Sequence, residues 1–348
     1  MTTIQWNSGT AYDFFISLFV LHHAADFGLR PYWAAGVRQR LSDSHRDILE
    51  RVASYAPPPL DWISSLMEPK DAMPVLHRAA ELAPATRFHA LTLPGDIHPQ
   101  VMETLERISK HGSATTVEKD MLLHTLLLRN KYIKPAGLDQ LLKDWKSLEK
   151  SSEQLLAALH DYYNAFFIEE ETRIRPALQT GLERARGLAS RLPLMVLVEE
   201  LSHGVHFEDV DSAEHLTLVP SYWSSPFVFH THPAVGTALI VFGCRPEFQS
   251  VAPGAETPDL LIIGLKTLAD PTRLRILRHL TGQSLTPTQL SRLLRLRLPT
   301  VLHHLDALRL AGLVTIRVSE TGEKRYTPRE KALNVLFLSV KDFLKKQG

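Results

Sequence analysis

The residues best equipped for chemistry in this sequence are histidines, six of which cluster as His22 with His23, His203 with His206, and His230 with His232. Imidazole is the commonest metal ligand, and its charge changes near neutral pH. His230 and His232 alternate along one face of an expected strand end. His203-x-x-His206 sits at an expected helix exit beside Glu199, Glu200, Glu208 and Asp209, so nitrogen and oxygen donors are near enough in sequence to compose a site. Against this, isolated histidines usually hydrogen-bond locally, and no hydrolase motif, glycine-rich phosphate loop or P-loop accompanies these. The sequence therefore assigns no catalytic residue, no metal ligand and no cofactor, and the expectation is that the chain is not an enzyme. Tyr162, Tyr163, Phe166 and Phe167 could line a pocket for an apolar effector. At helical spacing, core packing is the simpler expectation for them. The single cysteine, Cys244, can form neither an internal disulfide nor a thiolate metal site alone, in keeping with a reducing compartment.

A second concentration of chemistry is electrostatic. The 348-residue chain has a net charge of only +1. Residues 258–348, however, carry 16 Lys and Arg against 7 Asp and Glu, a net +9, which leaves residues 1–257 at −8. Clustered cations are what neutralisation of phosphates and release of their counterions require. The asymmetry thus suggests a nucleic-acid-binding module joined to an acidic partner domain. Hydrophobic residues at 44% and charged residues at 22% exclude a disordered or membrane-spanning chain. The apolar run Phe14 to Leu21 follows Asp13, lacks a basic leader and is too short to cross a bilayer, so a cytoplasmic location is expected.

The elements that must position these groups follow from periodicity and punctuation. The first two hundred residues read mainly as helices broken at Pro57-Pro58-Pro59, Pro94-Gly95 and Lys134-Pro135-Ala136-Gly137. A core helix is predicted over 151–191, interrupted or kinked at Pro176. His215 to Val219, Phe227 to Thr231 and Ala238 to Phe242 are β-rich runs separated by turn residues, predicting a short antiparallel meander that closes this domain. Arg245 to Pro258, with Pro246, Pro253, Gly254 and Pro258, reads as a linker. The fold class expected is mainly α with small β: a domain over 1–250 supporting dimerisation or sensing, and a second over 258–346.

In the second domain a short helix from Leu260 to Leu268 precedes Asp270-Pro271, an N-cap carboxylate with proline at the first helical position, which starts a helix to Leu280. Thr286-Pro287-Thr288-Gln289 has the spacing of a capping box and starts a third helix to Leu294. A fourth, Pro299 to Ala311, ends at Gly312 and turns Val301, Leu305 and Leu308 to the core, leaving Thr300, His303 and His304 on its other side. Two helices joined by a few residues, the second bearing an exposed polar stripe, suit the major groove. Val314 to Val318, a turn at Thr321-Gly322, and Lys324 to Thr327 predict a β-wing. A last helix, about Arg329 to Lys346, presents Leu333, Leu336, Phe337, Val340, Phe343 and Leu344, more apolar surface than so small a domain buries, and is expected to pair with a second subunit.

Leu265 to Leu277, containing Leu268-Ala269-Asp270-Pro271-Thr272-Arg273, then Pro299-Thr300-Val301 with His303-His304-Leu305, then Leu308 to Val314, together resemble the ArsR/SmtB family of bacterial repressors. The resemblance covers the last quarter of the chain and implies a dimeric winged helix that leaves its operator when an inducer binds. The preceding region, around His215 to Pro226, is similar to uncharacterised segments that precede such winged helices in some bacterial regulators. Arg297 and Leu302 stand where that family commonly has small polar residues. Its metal-sensing patterns, paired cysteines on the third helix or Asp and His on the last, are absent here.

The candidate DNA-contacting residues are Thr288, Gln289, Arg297, Thr300, Leu302, His303, Arg317, Lys324 and Arg325. His304 is expected to pack, Arg309 to be solvated, and Arg273 and Arg275 to form ion pairs within the domain. The function expected is a homodimeric, inducer-responsive repressor binding a near-palindromic operator in double-stranded DNA, with an unidentified small-molecule effector. The alternatives are a metal-dependent enzyme, or a protein-interaction module whose winged helix serves dimerisation.

Overall fold

A computed structural model describes residues 2–95, 97–127, 133–246, 249, 259–319 and 323–345. β1 (Thr3–Trp6) leads into α1 (Thr10–His22), α2 (Pro31–Arg38), α3 (Asp43–Ala53), α4 (Leu60–Ser65), α5 (Ala72–Glu81) and α6 (Pro84–Thr92). Next come α7 (Pro99–His111), α8 (Thr116–Leu127), α9 (Pro135–Lys146), α10 (Leu148–Tyr162), a π-helical turn (Tyr163–Phe167), α11 (Ile168–Ala189) and α12 (Leu194–Leu201). β2 (Val205–Phe207), α13 (Glu208–Ser212), β3 (His215–Ser221), β4 (Phe229–Thr231) and β5 (Thr237–Gly243) follow. The C-terminal part holds α14 (Asp259–Leu268), α15 (Pro271–Leu280), α16 (Pro287–Leu294), α17 (Leu298–Leu310), β6 (Val314–Val318), β7 (Lys324–Pro328) and α18 (Glu330–Lys345).

Several prolines that punctuate the sequence sit at helix starts, because the first turn has no use for their missing N–H. Pro135 opens α9, and Gly137 lies inside that helix, where a Cβ would collide with the Ser54 carbonyl on α3. The glycine thus lets two helices touch, whereas composition alone suggested a break. α1 is apolar on all sides and is buried accordingly. Its Asp13 is fully buried and accepts hydrogen bonds from Ser221 Oγ at 2.8 Å, Trp223 N at 2.7 Å and Tyr222 N at 3.2 Å. Burial nevertheless pushes its carboxyl up to about 7. Tyr162, Tyr163, Phe166 and Phe167 are all buried in the same core, with Phe14 ring centroids 5.4 Å from Tyr162 and 5.1 Å from Phe167. They fill the core, as the simpler expectation had it. α11 runs on through Pro176.

The sheet differs from the expected antiparallel meander. Its order is β1-β3-β5-β4, with β1–β3 and β3–β5 parallel and only β4–β5 antiparallel. The physical reason is visible in the strands: Ala238 to Phe242 is buried at every position, as befits a strand covered on both faces. The chain leaves β3 and returns through β4 on the far side of β5. β1, which the sequence reading missed, pairs Thr3 with His215 across the length of the domain.

The winged helix was anticipated closely. Asp270 Oδ1 accepts from Thr272 N at 2.8 Å and Arg273 N at 3.0 Å, capping α15. Thr286 and Gln289 satisfy each other's backbone amides at the start of α16, at 2.8 and 3.2 Å. Ile276, Leu280, Leu290, Val301, Leu305, Leu308 and Tyr326 are buried in a separate core, and each such aliphatic side chain contributes roughly 1.5–3 kcal/mol. The expected turn at Thr321-Gly322 and most of the expected linker lie outside the described residues. Arg245, at the head of that linker, is in fact buried and donates from Nη2 to the Ser225 carbonyl at 3.1 Å.

The two parts share a sheet. β2, also unforeseen, pairs in parallel with wing strand β6, aligning Val205 with Ile316, His206 with Arg317 and Phe207 with Val318. Ile316 N donates to the Gly204 carbonyl at 2.7 Å. A second contact forms at Gly28, whose φ is +71°; a Cβ there would stand 2.8 Å from Ile263 Cδ1 and 3.2 Å from Leu310 Cδ2. Glycine is required on both counts.

Candidate nucleic-acid interface

α17 buries Val301, Leu305 and Leu308, and this periodicity fixes what it displays. Thr300, Leu302 and His303 are exposed in its first turns, and Arg297 is exposed at its N-cap. Thr288 and Gln289 are exposed at the start of α16, although the Gln289 carbonyl oxygen is committed to the cap. Arg295 ends α16 in the left-handed region at φ +57° and directs the tight turn into α17. The predicted helix residues are thus all exposed.

On the wing, Arg317, Lys324 and Arg325 are exposed. Arg325 Nε donates to Glu323 Oε2 at 3.1 Å, which partly offsets its charge. Lys324 faces a cleft of about 530 Å³ between the winged helix and the N-terminal part. Phe19, Phe27, Phe227 and Phe229 line one wall, with His230; His303, Asp306, Ala307, Arg309 and Leu310 of α17 line the other. His303 thus lies at a rim where the acidic part of the same chain stands opposite, while the cleft wall does not include Thr300.

Two arginines depart from expectation. The Arg309 guanidinium stacks 4.8 Å above the Phe227 ring, joining the two parts through a cation–π contact where a solvated side chain was expected. Arg273 Nη1 donates to the Lys266 carbonyl at 3.4 Å, and among the described residues it forms no close ion pair, although its charge still acts on Asp270. Arg275 is exposed. His304, expected against the wing or the next helix, has its Nδ1 4.0 Å from Asp270 Oδ1 at the cap of α15, and desolvation pulls its pKa down despite that carboxylate.

On α18 the expected dimerisation residues divide. Leu336 is buried in its own core, against Gly264, and Leu333 and Val340 pack on that core. Phe337 is 55% and Leu344 69% exposed, Phe343 is 36% exposed, and Val335 and Leu338 join them. α14 adds exposed Ile262 and Leu265.

The histidines group otherwise than their sequence neighbours suggest. His22 and His23 each contact a carbonyl one turn back through Nδ1, those of Leu18 and Phe19. His203 adopts φ +55° at the turn before β2, and His206 Nε2 lies 3.8 Å from Asp211 Oδ2. His230 and His232 instead meet Asp209. The sequence offered that carboxylate to His203 and His206.

Residues 268–317 match a family model described as a helix-turn-helix domain, spanning α15, α16, α17 and most of β6. The chain therefore carries a C-terminal helix-turn-helix, a class of module that binds duplex DNA. No curated protein matched the chain. Among the described residues no helix is long and apolar enough to cross a membrane.

Proposed function

We propose that this protein is a sequence-specific, DNA-binding transcriptional regulator of the ArsR/SmtB kind, acting in the cytoplasm as a homodimeric, inducer-responsive repressor. The observation that carries this reading is the exposed surface of Thr300, Leu302 and His303 on a helix buried along its other side, inside a segment of net charge +9. Thr300 and His303, one turn apart, are the base readers; Leu302 offers an apolar contact to a thymine methyl. Arg297, Thr288, Gln289, Arg317, Lys324 and Arg325 anchor phosphates. Exposed Ile262 and Leu265 on α14, with Phe337, Leu338 and Leu344 on α18, support pairing of two copies through that face. Two recognition helices would then read a near-palindromic site.

The aromatic wall of the cleft supports an effector site for a small, largely apolar molecule. Because α17 forms the opposite wall, occupancy and duplex binding bear on one helix, and a ligand preferring the closed arrangement would lower DNA affinity. The chain is not proposed to be an enzyme.

The test is fluorescence anisotropy with duplexes from the region upstream of its own coding sequence, against random duplex, over a salt series. Preferential binding that weakens steeply as salt rises is expected. Equal affinity for random sequence, or none, rejects the reading.

A further inference from the structure

The cluster at Asp209 has the donors and spacing of a cation site. Asp209 lies at the start of α13, and His230 and His232 on and just beyond β4. Both imidazoles approach one carboxylate oxygen through Nε2: His230 at 3.2 Å and His232 at 2.5 Å from Asp209 Oδ2. All three ligand atoms lie within 4.8 Å of one another. His232 engages the carboxylate closely, whereas His230 Nε2 is shielded from solvent without a well-aligned hydrogen bond. The His230 ring is held by Phe207 of β2, centroid to centroid 4.3 Å, and by His232 at 4.7 Å. The His230 imidazole is packed against aromatic rings with its Nε2 turned to the carboxylate oxygen that His232 also engages, so three metal-competent donors stand together.

We propose that Asp209, His230 and His232 bind a first-row divalent transition-metal ion, with zinc as its natural probe. Two imidazole nitrogens and one carboxylate oxygen suit borderline ions; magnesium and calcium prefer all-oxygen shells. Donors around tetrahedral zinc stand about 3.3 Å apart, given metal–ligand bonds of about 2.0–2.1 Å. The Asp209–His230 pair already has that separation, and His232 need retreat by only about 1 Å. His230 also lines the interdomain cleft. The proposal is independent of DNA binding, since all three ligands lie outside the helix-turn-helix.

Full-length protein stripped with a chelator is titrated with zinc in competition with a chromogenic chelator. One tightly held zinc per chain is expected, with affinity falling at least tenfold in Asp209→Asn, His230→Gln and His232→Gln, and unchanged in His98→Gln. No stoichiometric uptake by the wild-type chain, or wild-type affinity in the two histidine variants, overturns the proposal. Circular dichroism without metal checks that each variant folds. Should one not fold, cobalt(II) bound to wild-type protein answers instead: intense visible bands of a four-coordinate site are expected, and the weak spectrum of the hydrated ion overturns the assignment.

Discussion

Asp13 and His22, at opposite ends of α1, carry opposite pH dependences. Burial pushes Asp13 up to about 7 from an ordinary 3.8, so between those values the folded chain keeps a proton that the unfolded chain has released. Its contribution is full below 3.8 and is lost as pH rises through 7. Burial pushes His22 down to about 4 from 6.5, and His203 likewise, so these favour the folded state above 6.5 and cease to do so as pH falls through 4. Asp13→Asn removes the opposing contribution. Its melting temperature should therefore drop more steeply than that of the wild type between pH 7 and 4; parallel melting curves would refute this. On the DNA side, His303→Ala should narrow the gap between preferred and random duplex by roughly 1–3 kcal/mol. Arg317→Ala should weaken all sequences alike and flatten the salt dependence. Anisotropy with both duplexes distinguishes these outcomes.

At the scale of elements, caps decide where the helices of the helix-turn-helix begin. Thr286→Ala removes half of the capping box on α16 and should cost about 1 kcal/mol of stability, read as a lower midpoint in urea. An unchanged midpoint would mean that the cap is dispensable. The same locality explains why α15, α16 and α17 were legible in the sequence: Asp270-Pro271, Thr286 to Gln289 and Gly312 act on their own neighbours. The strands β3, β4, β5, β6 and β7 were legible, but the pairings that join them to β1 and β2 were not, because Thr3 meets His215 and Val205 meets Ile316 across intervals that no local pattern records. Arg309 illustrates the limit at one residue: helical periodicity placed it towards solvent, and Phe227, distant in sequence, covers it. Asp209 is the converse, a ligand placed with the wrong histidines because proximity along the chain stood in for proximity in space.

For the molecule as a whole, the β2–β6 pairing and the contact at Gly28 hold the winged helix against the N-terminal part. Gly28→Val places a branched side chain at φ +71° and against Ile263, and should loosen that contact. The expected readout is faster hydrogen exchange at the Ile316 amide, which the Gly204 carbonyl now protects, with the amides inside α10 unaffected. Exchange unaltered at Ile316 would show the seam to be insensitive to Gly28. The seam also warns against dissecting the protein at its apparent junction. A C-terminal fragment cut there would shed β2 and bare the flank of β6, a row of unclaimed amides and carbonyls ready to recruit a stranger. Such a fragment should self-associate at concentrations where the intact chain does not, and any tight DNA binding it showed would describe a sticky remnant and not the whole protein.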